Sequence, residues 1–280
     1  MKIVDKYNIS QIIDRSIYTL ISTRASEMSF YLLLAFFPFL IFTINIVGYI
    51  PIIHINKSIV FLENIMPQST VIFILELIDS AIENRSISFL IMSFYMTLWT
   101  SSRSIRAFIR NSNKSYKVKE TRSFIKISIT SFLFTITLLM LIFLSIIFLV
   151  YGKKIGHILF NLIGLDKVFM YIWNIVRYTV GIGSIILILI SLYRYAPNKK
   201  LRIKEAMPGA VIATFSWILI SSFYSYYVNN FSNYEVIYGS IAGIIVLITW
   251  IYLSSYTLFI GLEVNTRLYF KKNKNKLTNQ

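Results

Sequence analysis

The sequence lacks cysteine, and only 14% of its 280 residues are charged. An average soluble domain is about 25% charged, and a disulfide scaffold needs paired cysteines. With 10 glycines the chain cannot be a collagen, and with 56% hydrophobic residues it is not a disordered chain. The remaining classes are a protein with a large buried core and a polytopic membrane protein. Either must accommodate a formal net charge of +16.

Residues that carry catalytic chemistry are also scarce. The two histidines, His54 and His157, stand in no metal-ligand pattern. The sequence has no P-loop, no H-E-x-x-H and no G-x-S-x-G. The absence of cysteine excludes thiol chemistry. We therefore predict no catalytic residue, no metal site and no cofactor, although a site based on serine or tyrosine stays open.

The few charges are widely spaced. Between Glu27 and Lys57 lie 29 uncharged residues, and between Glu205 and Glu235 another 29. About 20 apolar residues cross a bilayer core as a helix, in which every backbone amide is satisfied internally. The pattern therefore predicts an all-α polytopic membrane protein with six transmembrane helices, near 29–50, 86–104, 127–151, 169–193, 207–228 and 239–264. The second is the shortest, so Arg103 is expected to snorkel.

The basic residues alternate between the two ends of these spans. Of the 28 lysines and arginines, 22 lie in the N-terminal segment, the second and fourth loops and the C-terminal tail. Because positive charge accumulates on the cytoplasmic side, both termini are predicted to be cytoplasmic. Residues 1–27 are predicted to form a cytoplasmic amphipathic helix at the interface, 28–265 the membrane domain, and 266–280 a basic cytoplasmic tail.

The same charge distribution identifies the expected partners. A nucleic-acid-binding protein carries its basic residues on one face of a folded domain, whereas here they flank the spans. Anionic lipid headgroups at the cytoplasmic loops are therefore predicted, nucleic acid is not, and a homo-oligomer is compatible with this pattern. The loop 103–126, which interleaves aromatic and basic residues, is either a headgroup contact or a solvated loop. The outer loop 51–85 contains an amphipathic helix that caps the bundle or forms a lid.

Ionisable and amide side chains inside the spans are the candidate substrate or coupling residues, since they are costly in hydrocarbon. Arg177 and Asn174 share a face of the fourth span, where arginine snorkels outward or forms a buried anion-binding pair. Glu27 and Glu263 lie at the cytoplasmic ends of the first and sixth spans, as solvated carboxylates or as a proton or cation site. Asn45 could hydrogen-bond to a neighbouring helix.

Proline and glycine mark where helices bend or pack closely. Pro38 lacks an amide hydrogen and is expected to kink the first span. Gly181, Gly183 and the pair Gly239 and Gly243, spaced as G-x-x-x-G, are predicted to allow close helix approach.

Several stretches resemble one known family. They are YLLLAFFPFLIF, LWTSSRSIRAFIRNSNKSYKVKETRSF, LYRYAPNKK and the run from MPGAVIATF to IGLEVN, which together cover most of 28–265. The chain thereby resembles the YihY/BrkB family of bacterial inner-membrane proteins, often labelled ribonuclease BN. The positions that carry this resemblance are Pro38, Asn113, Tyr116, Arg194, Pro197, Asn198, Tyr238, Gly239, Trp250, Tyr252, Gly261 and Asn265.

The resemblance implies a six-span, multi-pass fold in the bacterial cell membrane with both ends inside, and no established reaction. Three functions compete. A transporter or lipid-handling protein of unknown substrate is favoured by the kinked, glycine-containing spans and by two halves of three spans each, as inverted repeats require. A membrane scaffold or envelope-integrity factor is the alternative. Ribonuclease activity is disfavoured, because the sequence offers neither a metal-ligand set nor a soluble RNA-binding domain.

Overall fold

The computed structural model describes residues 9–49, 86–140, 167–231 and 241–278, together with residues 68, 71, 72 and 76. Side chains are described for 19–46, 86–140, 179–230 and 241–273, and for those four single residues. All regular structure in these ranges is helical. Over the four continuous ranges the structure describes six helices: α1 (Ile9–Tyr49), α2 (Ile87–Ser115), α3 (Phe124–Met140), α4 (Lys167–Tyr195), α5 (Ile203–Phe231) and α6 (Ala242–Thr278).

Each predicted span overlaps one of these helices, so the all-α prediction is confirmed for the described residues. Three segments are long and apolar enough to cross a membrane, namely Thr19–Ile46, Ile203–Asn230 and Ala242–Asn273. Two shorter apolar helices are Phe124–Met140 and Thr179–Tyr195. The interfacial helix predicted within residues 1–27 is continuous, from Ile9 onward, with the first predicted span in α1. Both histidines and most of the loop 51–85 lie outside the described residues.

Helices α1 and α2 form an antiparallel pair. Near one end the rings of Phe42 and Phe94 are 5.1 Å apart. Near the other, an Arg24 guanidinium nitrogen donates to the Ser115 hydroxyl over 2.6 Å. The sequence numbers of paired residues thus run in opposite directions along the two helices, as a helical hairpin requires.

Helices α5 and α6 form a second antiparallel pair, fixed by two reciprocal indole contacts. The Trp217 indole N–H donates to the hydroxyl of Ser254 over 3.1 Å. The Trp250 indole N–H donates to the hydroxyl of Ser221 over 3.2 Å. The two indoles also lie against each other, with ring centroids 6.4 Å apart. Each partly buried indole N–H therefore has an acceptor, as such groups usually do.

Hydroxyl side chains allow α2 to bury polar residues. Ser93, Thr97 and Ser102 are buried, and each donates to a backbone carbonyl three or four residues earlier, at 2.7 to 3.0 Å. A hydroxyl satisfied within its own helix costs little in an apolar environment. On other faces α2 exposes large apolar side chains, among them Ile87, Phe89, Ile91, Met92, Tyr95, Met96 and Trp99. Over residues 87–104 the buried side chains of this helix are therefore mostly polar and the exposed ones mostly apolar, the reverse of a helix in a soluble protein.

The main buried core lies where α2, α4 and α6 meet. The Phe108 ring is 5.3 Å from that of Phe259 and 5.8 Å from that of Tyr193, measured between centroids, and all three side chains are buried. The Tyr193 hydroxyl donates to the carbonyl of Leu258 over 2.8 Å. This aromatic cluster joins helices from both halves of the chain, so the two helical pairs form one packed unit.

Close helix approach is found at two glycines that were not predicted from spacing. A side chain added at Gly181 or Gly183 would meet no described atom within 4 Å. Gly209 of α5 and Gly261 of α6 instead lie against each other, backbone to backbone. Close packing at Gly181 and Gly183 is thus not found among the described residues. Gly239 lies outside the described residues.

Helix α2 ends in a Schellman motif with a lysine in the position that usually holds glycine. The Val118 N–H donates to the Asn113 carbonyl over 3.0 Å, and the Lys117 N–H to that of Lys114 over 3.2 Å. Lys117 has φ 55°, the left-handed conformation that side chains disfavour.

Replacing Lys117 by glycine is therefore expected to stabilise the fold by about 1 kcal/mol, since glycine adopts this conformation without a steric penalty. Thermal unfolding of the detergent-solubilised protein measures the effect, with Lys119→Gly, which has no positive φ, as the control. A lower melting temperature for Lys117→Gly than for the wild type would contradict the assignment of strain.

Candidate functional site

Two loops are joined by a polar network that we call the loop junction, made of Asn113, Glu120, Arg122 and Asn198. The Asn113 side-chain amide donates to a Glu120 carboxylate oxygen over 2.7 Å, and its oxygen accepts from the Asn198 backbone N–H over 2.6 Å. The Asn198 side-chain amide donates to the Lys119 carbonyl and the Thr121 hydroxyl over 2.9 and 2.7 Å. The turn after α4 is thereby fixed to the loop that connects α2 and α3.

Arg122 supplies most of the donors at the loop junction. Its Nε and one terminal nitrogen donate to the two Glu120 oxygens over 2.8 and 2.7 Å, the bidentate geometry that suits a guanidinium. It also donates to the carbonyls of Tyr195 and Ala196 over 3.1 and 2.8 Å. These carbonyls end α4, where no further helical amide is available. Arg122 thus caps α4 from a different loop.

The charges of the loop junction are balanced locally. The pKa of Glu120 is lowered from 4.5 to about 2, mainly because Arg122 donates side-chain hydrogen bonds to the ionised form, with a further contribution from Asn113. The Arg122 side chain is only 11% exposed. Glu120 therefore stays ionised near neutral pH and is a poor proton donor or acceptor. The ion pair instead positions the backbone of the two loops. The loop junction is therefore a structural clamp rather than an acid–base centre.

The predicted carboxylates at the inner ends are both paired. Glu27 forms an ion pair with Arg110, and its second oxygen accepts from the Asn111 amide over 2.8 Å. Glu263 pairs with Arg267 one turn later over 2.9 Å. Both pairs are partly solvated, so they contribute little individually to stability. Neither is brought into contact with Asn45.

Asn265 connects α6 to the start of α5. Its side-chain oxygen accepts from the backbone N–H of Gly209 over 2.7 Å, and its amide donates to the Ala206 carbonyl over 2.9 Å. The side chain is fully buried. At the same end Glu205 accepts from the Arg202 N–H over 3.0 Å, one half of a capping box at the start of α5.

Three helices also bury polar side chains, a set that we call the polar seam: Asn45 of α1, Ser93 and Thr97 of α2, and Ser131 and Thr135 of α3. The Asn45 amide donates to the Ile41 carbonyl over 2.8 Å, whereas its oxygen is buried without a hydrogen-bond partner among the described residues. The hydroxyls bond back to their own helices, so their oxygens keep a second lone pair available as an acceptor.

The remaining sequence candidates lie in separate places. Asn174 and Arg177 belong to α4, but their side chains lie outside those that the structure describes. Pro38 lies within α1. The Arg194 guanidinium lies over the ring of Tyr195, with 5.1 Å between its carbon and the ring centroid. Tyr252 shares a hydrogen bond of 2.8 Å with Ser22 of α1. Tyr238 lies outside the described residues.

Comparison with known proteins identifies the family of the chain. The chain matches the family described as Virulence factor BrkB over residues 12–280. It belongs to the BrkB family. The ribonuclease-like protein YfkH of Bacillus subtilis (strain 168) is 35% identical over 250 residues, 89% of this chain and 90% of the relative. No solved structure matches the chain.

Shorter matches within the BrkB family are with UPF0761 membrane proteins. The protein from Alteromonas mediterranea is 33% identical over 102 residues, 33% of this chain and 35% of its own length. One from Pseudoalteromonas translucida is 40% identical over 75 residues, 27% of this chain and 25% of its own length. The resemblance drawn from the sequence is thus confirmed, and the chain is a bacterial multi-pass membrane protein.

The structure explains several of the positions on which the resemblance to the BrkB family rests. Asn113 and Asn198 hydrogen-bond directly to each other across two loops, and Gly261 and Asn265 hold α6 against α5. Sequence reasoning missed Glu120 and Arg122, since both were treated only as loop charges. The available signal was that Glu120 is the one acidic residue among eight basic ones in 103–126.

Proposed function

We propose that this BrkB-family protein is a transporter that handles a lipid or another amphiphile. The polar seam carries the proposal, because it places acceptor groups inside helices whose outer faces are apolar. Helices α2 and α3 are connected by a short loop, and Arg106 donates to the Ser128 hydroxyl over 3.4 Å. Counting from that contact at about 1.5 Å per residue puts Thr97 and Thr135 at similar depth.

The chemistry of the seam suits the polar part of an amphiphile. A buried amide oxygen without a donor costs free energy in an apolar environment, and a substrate donor that reaches it recovers that cost. Asn45 is 4% exposed and shares α1 with large exposed apolar residues, among them Phe30, Leu34, Phe37 and Ile41. An amphiphile contacts both surfaces at once, its head at the seam and its chains outside α1. A small hydrophilic solute would gain no free energy from contact with the exposed apolar side chains of α1.

Reconstitution in liposomes tests this proposal. Transbilayer movement of a labelled phospholipid is expected with the wild type, and Asn45→Leu is expected to slow it about tenfold, the value of one lost hydrogen bond. Asn230→Leu is the matched control. That asparagine makes the same bond to the carbonyl four residues earlier, over 2.8 Å, but it is exposed at the end of α5. No lipid movement in the wild type, or equal rates in wild type and Asn45→Leu, would refute the proposal.

The ribonuclease-like name belongs to the Bacillus subtilis relative. For this chain we propose that it does not cleave RNA. The support is that three described carboxylates, those of Glu27, Glu120 and Glu263, are engaged by arginine or asparagine side chains. Metal-dependent RNA cleavage by purified protein, lost on substitution of a carboxylate of this chain, would overturn this proposal.

A further inference from the structure

Two lysines from different loops lie over neighbouring aromatic rings at the end of α6. The Lys117 ammonium is 5.8 Å from the centroid of the Phe270 ring, and the Lys199 ammonium is 4.2 Å from that of Tyr269. The two rings are 5.6 Å apart, and Tyr116 packs edge-on against Tyr269 at 5.7 Å. We call these five residues the aromatic–lysine cluster.

Neither ammonium group of this cluster has an ion-pair partner among the residues that the structure describes. The carboxylates of the surrounding described segments are taken by other cations. Glu120 pairs with Arg122, and Glu205 pairs with Lys272 over 3.5 Å. The rings hold the two lysines in place without neutralising them, because a cation over an aromatic face keeps its charge. The two lysines therefore keep their positive charges beside the adjacent rings of Tyr269 and Phe270.

The backbone of Lys117 indicates that this position serves a function beyond folding. Its φ of 55° lies in a conformation that glycine would adopt at lower cost. A strained residue that persists in the structure is an indication of a role for its side chain. At Lys117 that side chain is one of the two unpaired ammonium groups.

Exposed apolar side chains stand close to the cluster in sequence. Phe270 is 39% exposed and Leu268 46%, and Phe124 and Ile125, which follow the Lys117 loop, are 75% and 69% exposed. A free phosphate ion gains nothing from such surface. A phospholipid gains from both parts, since its phosphate meets the ammonium groups and its acyl chains cover the apolar side chains.

We infer that the aromatic–lysine cluster binds the headgroup phosphate of an anionic phospholipid. This site lies in the loops and at the end of α6, away from the polar seam. A lipid bound at this site connects the loops after α2 and α4 to the C-terminal part of α6. Lipid binding at this site does not require that the protein moves lipid across the bilayer. A negative result in the liposome experiment would therefore leave it unaffected.

Lipid titration monitored by native mass spectrometry of the purified full-length protein tests the inference. The probes are phosphatidylglycerol and, for comparison, phosphatidylcholine. Each lysine near an anionic surface is worth about fivefold in affinity, so Lys117→Ala with Lys199→Ala should weaken phosphatidylglycerol binding about thirtyfold. The matched control is Lys119→Ala with Lys200→Ala, which removes the same charge from the same loops and should weaken binding less than threefold.

Two further variants distinguish an effect on lipid binding from an effect on protein stability. Lys117→Arg with Lys199→Arg keeps both charges over the rings and should retain binding. Lys117→Gly should bind phosphatidylglycerol about fivefold more weakly although its fold is more stable. Equal losses in the cluster and control variants, equal affinity for the two lipids, or full displacement of the lipid by millimolar inorganic phosphate would each overturn the inference.

Discussion

Substituting Gly261 by alanine is expected to destabilise the protein by about 3 kcal/mol or more. The added methyl group would overlap the Tyr193 hydroxyl and the Gly209 carbonyl oxygen, and it would come to 2.9 Å from the Ala213 Cβ. None of these atoms can move easily. Two belong to helix α5, and the Tyr193 hydroxyl is fixed by its hydrogen bond to the Leu258 carbonyl. Relief would require α5 and α6 to separate, which would also break the bonds made by Asn265.

Thermal unfolding in detergent, together with the yield of monodisperse protein, measures this effect. Gly181→Ala is the matched control, because it makes the same chemical change in a helix where no described atom lies within 4 Å. Alanine has the higher helix propensity, so this control should be neutral or more stable by up to about 1 kcal/mol. If Gly261→Ala and Gly181→Ala unfold at the same temperature, the close contact between α5 and α6 is not present.

The contrast between these glycines shows how far the sequence could predict helix packing. Long uncharged stretches predict helices because a bilayer imposes their length and hydrogen bonding, and the structure has a helix at each predicted span. A glycine pattern gives no comparable constraint. Gly181 and Gly183 suit close packing as well as Gly261 does, and only the direction in which each helix faces its neighbour decides between them.

The loop junction was less accessible to sequence reasoning, for a related reason. Asn113 and Asn198 are 85 residues apart in sequence, and no periodicity connects them, so only the resemblance to a family singled them out. Arg122 was counted with the positive charges that orient the chain, although it is almost buried. A positive-inside count sums charges by segment and cannot distinguish an arginine that faces lipid headgroups from one that caps a helix.

Substituting Arg122 by alanine is expected to cost about 3 kcal/mol. The change leaves the Glu120 carboxylate with Asn113 alone among side chains and removes the donor from the Tyr195 and Ala196 carbonyls. The Arg122 side chain is nearly buried and that of Glu120 is 26% exposed, and removing the arginine from such a partly buried charged network leaves several acceptors without their donor. Arg122→Lys should recover less than half of the loss, since one ammonium group cannot reproduce the guanidinium's bidentate bond and its two carbonyl contacts.

Arg110→Ala is the matched control for charge, because it also removes an arginine from an ion pair with a glutamate. The Arg110 side chain is 51% exposed, and Glu27 keeps its bond to Asn111, so the expected cost is below about 1 kcal/mol. Equal melting temperatures for the two variants would show that Arg122 is an ordinary surface charge.

The pH dependence of stability provides an independent measurement of the same network. Because the folded protein lowers the pKa of Glu120 from 4.5 to about 2, the ionised carboxylate stabilises the fold above about pH 4.5. That stabilisation is lost as the pH falls from 4.5 towards 2. Glu120→Gln cannot titrate, so its melting temperature should be lower than that of the wild type at pH 7 and the difference should shrink towards pH 3. A difference that stays constant over this range would mean that Glu120 is not held as a carboxylate by Arg122.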